Sequence, residues 1–145
     1  MATKYGVNKT KLLTPIGANT IDQGENKAQL NVMYDSYEAA AVASGDVIQV
    51  GDKIPVGSLV VDVVVFYDDL GTGVTLDIGD LADDDRYVAA AAVAAGAGSI
   101  SLQQDGLIAG IGYKVGTATN DNQIALTIGG SAATGTLKVM IVYAI

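Results

Sequence analysis

The residues best suited to chemistry are carboxylates crowded into one short stretch: Asp77, Asp80, Asp83, Asp84 and Asp85, with Asp68 and Asp69 just upstream. Clustered carboxylates do two kinds of work. They collect a hard cation, since calcium takes six to eight oxygen ligands, or a pair of them cleaves a glycosidic bond. A calcium reading places the ion on Asp80, Asp83, Asp84 and Asp85. The spacing matches no EF-hand loop, because the DxDxDG order and its closing glutamate are missing. A glycosidase also needs an aromatic-lined cleft, and this chain has no tryptophan and a single phenylalanine, Phe66. The first expectation for the run is therefore a solvated loop, with calcium as the alternative.

Other chemistries lose their residues outright. The chain has no cysteine and no histidine. That removes disulfides, thiol nucleophiles, cysteine zinc sites, and the commonest general base and metal ligand. Glycine pairs such as Gly71-Thr72-Gly73 and Gly129-Gly130 are not followed by the Lys-Ser/Thr of a phosphate loop, so they read as turns. No catalytic residue and no cofactor are expected. The net charge of −8 opposes binding to nucleic acid, which needs cations to neutralise phosphates. Tyr34, Tyr37, Tyr67, Tyr87, Tyr113 and Tyr143 read as strand and rim residues.

The elements that would position these residues read as strands. Lys27 to Tyr34 alternates, with Ala28, Leu30, Val32 and Tyr34 on one face. Asp46 to Val50 is short. Ser58 to Tyr67 is rich in β-branched residues, as in a strand buried on both faces. Gly73 to Ile78 follows across a turn, with Gly71 and Gly73 expected to form a hairpin. Ser99 to Leu102, Gly110 to Val115 and Gln123 to Ile128 are bounded by Gly, Asn or Asp. Thr136 to Ile145 places Leu137, Val139, Ile141 and Tyr143 on one face and only one charge, Lys138, on the other. Such a strand belongs in a sandwich centre or a subunit interface. Residues 87–97 are alanine-rich and fit either a short helix or a strand. Short strands with turn signals between them predict an all-β, jelly-roll-like β-sandwich over residues 25–145.

Half of the residues are hydrophobic and the mean hydropathy is +0.36. No apolar run approaches the ~20 residues that span a bilayer, so no membrane partner is expected, and the N-terminus lacks the apolar stretch of a signal peptide. The apolar excess predicts a core plus contacts between subunits. Residues 1–24 read as an N-terminal arm without periodicity. It carries Lys4, Lys9 and Lys11, whereas from Ala28 onward 14 acidic residues face four basic ones, a net of −10. Ordering about twenty residues costs roughly 20–40 kcal/mol. Three exposed lysine pairs at about 0–1 kcal/mol each cannot offset that. An ordered arm must also bury Leu12, Leu13 and Ile16. The expected interface with a partner or another subunit is thus Lys4, Lys9, Lys11, Leu12, Leu13, Ile16, Val139, Ile141 and Tyr143.

One segment carries a family resemblance. Residues 44–87 contain Gly45-Asp46-Val47-Ile48, Ile54-Pro55-Val56-Gly57, Leu70-Gly71-Thr72-Gly73, Thr75-Leu76-Asp77-Ile78-Gly79 and Asp83-Asp84-Asp85-Arg86-Tyr87. This order resembles the decoration (cement) proteins of tailed-phage capsids. The resemblance covers about a third of the chain and rests on turns and strands, with Arg86 expected to tie the acidic loop to the body. It implies a non-enzymatic virion protein, made in the host cytoplasm and bound outside the capsid. Its implied partners are the major capsid protein and further copies of itself, as a trimer. The alternative is a head-fibre or tail-associated module that recognises a host receptor or glycan.

Overall fold

In the computed structural model the described residues are Lys4, Lys9, 28–93, 96–117 and 119–145. Among the described residues from 28 onward, eight strands and one helical turn follow in order: β1 (Leu30–Val42), β2 (Val47–Gln49), β3 (Leu59–Tyr67), β4 (Val74–Asp80), β5 (Val88–Ala92), β6 (Gly98–Ser101), α1 (Leu102–Asp105), β7 (Ile124–Gly130) and β8 (Ala133–Ala144). They form two four-stranded antiparallel sheets, ordered β1-β8-β3-β6 and β2-β7-β4-β5. The protein is all-β, a two-layer sandwich, and the chain changes sheet at almost every connection.

Period-two alternation explains the core. Val60, Val63 and Val65 of β3 and Leu137, Val139 and Ile141 of β8 point inward from the first sheet. Leu76 and Ile78 of β4 and Ile124, Leu126 and Ile128 of β7 meet them from the second. All are at most 1 % exposed. At ~25 cal/mol per Å² of apolar surface, this layer supplies the main driving force for folding.

The connections refine the sequence reading. The expected hairpin at Gly71 and Gly73 is a crossover instead, because β3 and β4 lie in different sheets. It runs beside the second crossover, from β7 to β8. Ser131 N–H donates to the Gly73 carbonyl, Thr134 N–H to the Leu70 carbonyl and Thr136 N–H to Asp68 Oδ1. The two corners therefore brace each other. Pro55 and Gly57 do turn the chain into β3, with Ser58 N–H bonded to the Pro55 carbonyl and Gly57 at φ +91°. Residues 107–112 form successive turns, and only 113–115 of the expected strand run extended, hydrogen-bonded to Ser58 and Val60. Gly110 sits against the Arg86 carbonyl and Tyr87 Cα, where a Cβ does not fit. Only Leu59 and Lys114 make a bridge there.

Residues 88–92 of the alanine-rich segment form strand β5, paired to the edge of β4, while residues 94 and 95 lie outside the described residues. A bulge interrupts it: three steps on β5, from Val88 to Ala91, oppose two on β4, from Ile78 to Leu76. Ala90 in the bulge has φ +47°, and its N–H donates to Asp77 Oδ1. Pairing with β4 satisfies backbone groups that a short isolated helix would satisfy only marginally.

Candidate interaction surfaces

The two sheets present chemically different outer faces. On the first sheet the register sets Leu30, Val32 and Tyr34 of β1 beside Ala144, Val142 and Met140 of β8, with Val64 and Phe66 of β3 on the far side. Tyr34 is 77 % exposed, Leu30 60 %, Val32 51 % and Phe66 48 %, and Met140, Val142 and Val64 are half-buried. Large apolar side chains so placed form one contiguous patch, unlike scattered surface leucines. Lys138 stands at its margin between Ser36 and Phe66, with shallow hollows on both sides. Among the described residues Lys138 makes no ion pair.

The outer face of the second sheet carries the acidic loop. Gly79 makes this possible: a Cβ there would collide with the carbonyl of Asp83 and the backbone of Asp84. Asp80 is buried beneath the loop and accepts hydrogen bonds from Ala82 N–H at 2.9 Å, Asp83 N–H at 3.0 Å and Arg86 Nε. Arg86 also lies 3.7 Å from Asp83 and stacks 4.1 Å over the Tyr113 ring. Burial opposes its charge, but the hydrogen bond to Asp80 and the charges of Asp80, Tyr113 and Asp83 together outweigh this and raise its pKa. Arg86 therefore ties the loop to the body, as its place among carboxylates suggested.

The network continues inward. Tyr113 packs edge-on against the buried Tyr87 ring at 6.3 Å and donates its hydroxyl to Asp121 Oδ2 at 3.0 Å. Asp121 also accepts from Gly116 N–H, Thr117 N–H and the Thr117 hydroxyl. Burial pushes its pKa up, yet these hydrogen bonds prevail and hold it down at about 2.

Asp83, Asp84 and Asp85 remain at the loop surface, with carboxylate oxygens within 4.8 Å of one another. A hydrogen bond that the protonated Asp85 carboxyl donates to Asp83, slight desolvation, and the charges of Asp83, Asp84 and Asp77 raise the pKa of Asp85. Below the loop is a hollow of about 340 Å³ lined by Asp80, Asp83, Asp84, Val47 and Thr127.

The residues expected at an interface fall into three groups. Val139 and Ile141 are core residues, 1 % exposed, so they are not available to a partner. Tyr143 is half-buried on the same inward face. The reason is that β8 is apolar on both faces, and the odd-numbered face is the one turned toward the second sheet. Lys4 and Lys9 are exposed, while Lys11, Leu12, Leu13 and Ile16 lie outside the described residues. The acidic set also divides. Asp80 is committed to Arg86 and backbone donors, whereas Asp83, Asp84 and Asp85 stay together. Met140, Val142 and Thr127 attracted no notice in the sequence. The even-numbered apolar run of β8 was the available signal for the first two.

No family model and no curated protein matches the chain. Solved structures do. One chain of the cyanophage Pam1 capsid asymmetric unit superposes with a TM-score of 0.62 at 22% identity, covering 81% of this chain and 86% of that one. One chain of the capsid of Ralstonia phage GP4 superposes with a TM-score of 0.59 at 19% identity, covering 80% and 84%. The sandwich is therefore a fold that chains in two phage capsids also have.

Proposed function

We propose that this chain is a virion structural protein that binds the outside of an assembled phage capsid and stabilises contacts between capsomers. The observation that carries the reading is the apolar outer face of the β1-β8-β3 sheet, on a fold held in common with chains of two phage capsid assemblies. A face of this kind is a surface for partners. The major capsid protein is the proposed partner, with further copies of the chain as a trimer, and the virion its location. The sequence resemblance over residues 44–87 supports the same role.

The test is to add purified protein to capsids that lack it and image them. Density at regular positions on the outer shell, together with capsids that withstand higher temperature, is the expected result. Protein that stays in solution, with shells unchanged, overturns the proposal. Binding to host cells by the free protein, without capsid binding, would point to the receptor-binding role instead.

A further inference from the structure

The acidic loop carries charge that its own arginine does not neutralise. Arg86 is held by Asp80 and reaches only Asp83 beyond it. Asp83, Asp84 and Asp85 could splay into solvent, yet their carboxylates converge within 4.8 Å. Convergence of exposed acids alone does not make a binding site.

A second, independent feature lies directly beneath. Thr127 projects from β7 on the outer face, beside Asp77 in the register, and lines the same hollow as Asp83 and Asp84. It is only 9 % exposed, and its Oγ1 is buried without a hydrogen-bond partner. Its strand neighbours on that face, Ala125 and Gly129, offer no side-chain acceptor or donor. Buried hydroxyls are paired in native proteins, so an unpaired one signals a missing partner. The hollow that Thr127 shares with Asp83 and Asp84 is where a partner for it can enter.

We infer that the hollow between the acidic loop and β7 is a calcium site. Asp83 and Asp84 supply carboxylate oxygens, Asp85 closes the site toward solvent, and Thr127 Oγ1 supplies a neutral oxygen to the ion or to its bound water. Every donor is oxygen, which selects a hard cation. Calcium accepts an irregular set of six to eight oxygens completed by water, whereas magnesium demands a near-ideal octahedron. Bound calcium would neutralise the loop on a face that otherwise repels any acidic neighbour.

Calorimetric titration of calcium chloride into the chelator-treated full chain, at physiological salt, tests this. A single saturable site with Kd of about 0.1–1 mM is expected, in the range of extracellular calcium modules. The D83N/D84N double variant should lose roughly tenfold or more in affinity, and T127V several-fold, with unchanged circular dichroism. Magnesium should bind more weakly. Absence of a saturable heat overturns the inference, as does undiminished affinity in D83N/D84N. Unchanged affinity in T127V overturns the role of Thr127, so the inference stays testable even if the double variant folds poorly. The titration uses the isolated protein, so its outcome is independent of capsid attachment.

Discussion

Asp121 shows how one carboxylate organises a surface otherwise built from turns. Four donors converge on it from Tyr113, Gly116 and Thr117, and through Tyr113 it meets the Arg86 guanidinium that holds the acidic loop. Asparagine offers one acceptor oxygen, and its amide would confront N–H donors. Asp121→Asn should therefore destabilise the fold by about 2–3 kcal/mol, the size of charge-assisted hydrogen bonds lost in a buried setting. The pH dependence has a definite sign. The folded-state pKa, about 2, lies below the ordinary 3.8. The folded state thus binds fewer protons between these values, so the contribution is complete above pH 3.8 and is lost as pH falls through about 2. Urea unfolding followed down through that window should show a fall in stability that D121N flattens. Equal pH profiles for the two proteins would refute the assignment.

At the scale of elements, the β5 bulge stores strain that can be measured. Ala90 sits at φ +47°, where a Cβ crowds the backbone and costs roughly 1–2 kcal/mol. Glycine relieves this but loses more chain entropy on folding, roughly 0.5–1 kcal/mol. Ala90→Gly should raise stability by about 0.5–1 kcal/mol, read as a higher denaturant midpoint at unchanged slope; a lower midpoint would contradict the bulge geometry. Such bulges explain what the sequence could and could not reveal. Strands β3, β7 and β8 were legible because runs such as Val60-Val61-Asp62-Val63-Val64-Val65 and Leu137 to Ile141 have few other solutions. Residues 110–112 turn where a strand was expected, because glycines at 110 and 112 fit a turn equally well, and the contact with Arg86 and Tyr87 that decides it is long-range. The hairpin at Gly71 was misread for a related reason: turn residues mark a reversal but not which sheet receives the next strand. The inside of β1 and β8 was also hidden. β8 is apolar on both faces, while β1 turns its more apolar face, Leu30, Val32 and Tyr34, outward; the packing of Met33 and Ile141 close to Gly51 selects the buried one. Of the candidate sites, the acidic loop was plain in composition, whereas Thr127 needed the register with β4 to bring it beneath Asp84.

The whole molecule is two-sided, with an apolar outer face on one sheet and an acidic loop on the other. Three strands at ~4.8 Å spacing and about six residues at ~3.4 Å each give the apolar patch an area of roughly 300 Å². A stable interface uses about 800 Å² per partner. The patch alone therefore falls short, and a lasting assembly must recruit more surface. Among the described residues the outer edge of β1 has no strand partner and adjoins the patch, and residues 1–27, with Leu12, Leu13 and Ile16 among them, precede that strand in the sequence. Charge points the same way: copies of a chain with net charge −8 repel one another least where acidic side chains are sparse. The double variant Tyr34→Ser/Phe66→Ser removes the two aromatic side chains of the face while leaving the core untouched. Its unfolding free energy should change by no more than about 0.5 kcal/mol per site, as at ordinary surface positions. Self-association, measured as mass by light scattering, and capture by capsids should both fall at least tenfold. Val139→Ala, on the inward side of the same sheet, should do the opposite: it costs about 1–3 kcal/mol through the cavity it leaves while the folded fraction still binds. Wild-type assembly by Y34S/F66S would move the contact surface off this sheet and onto the arm alone.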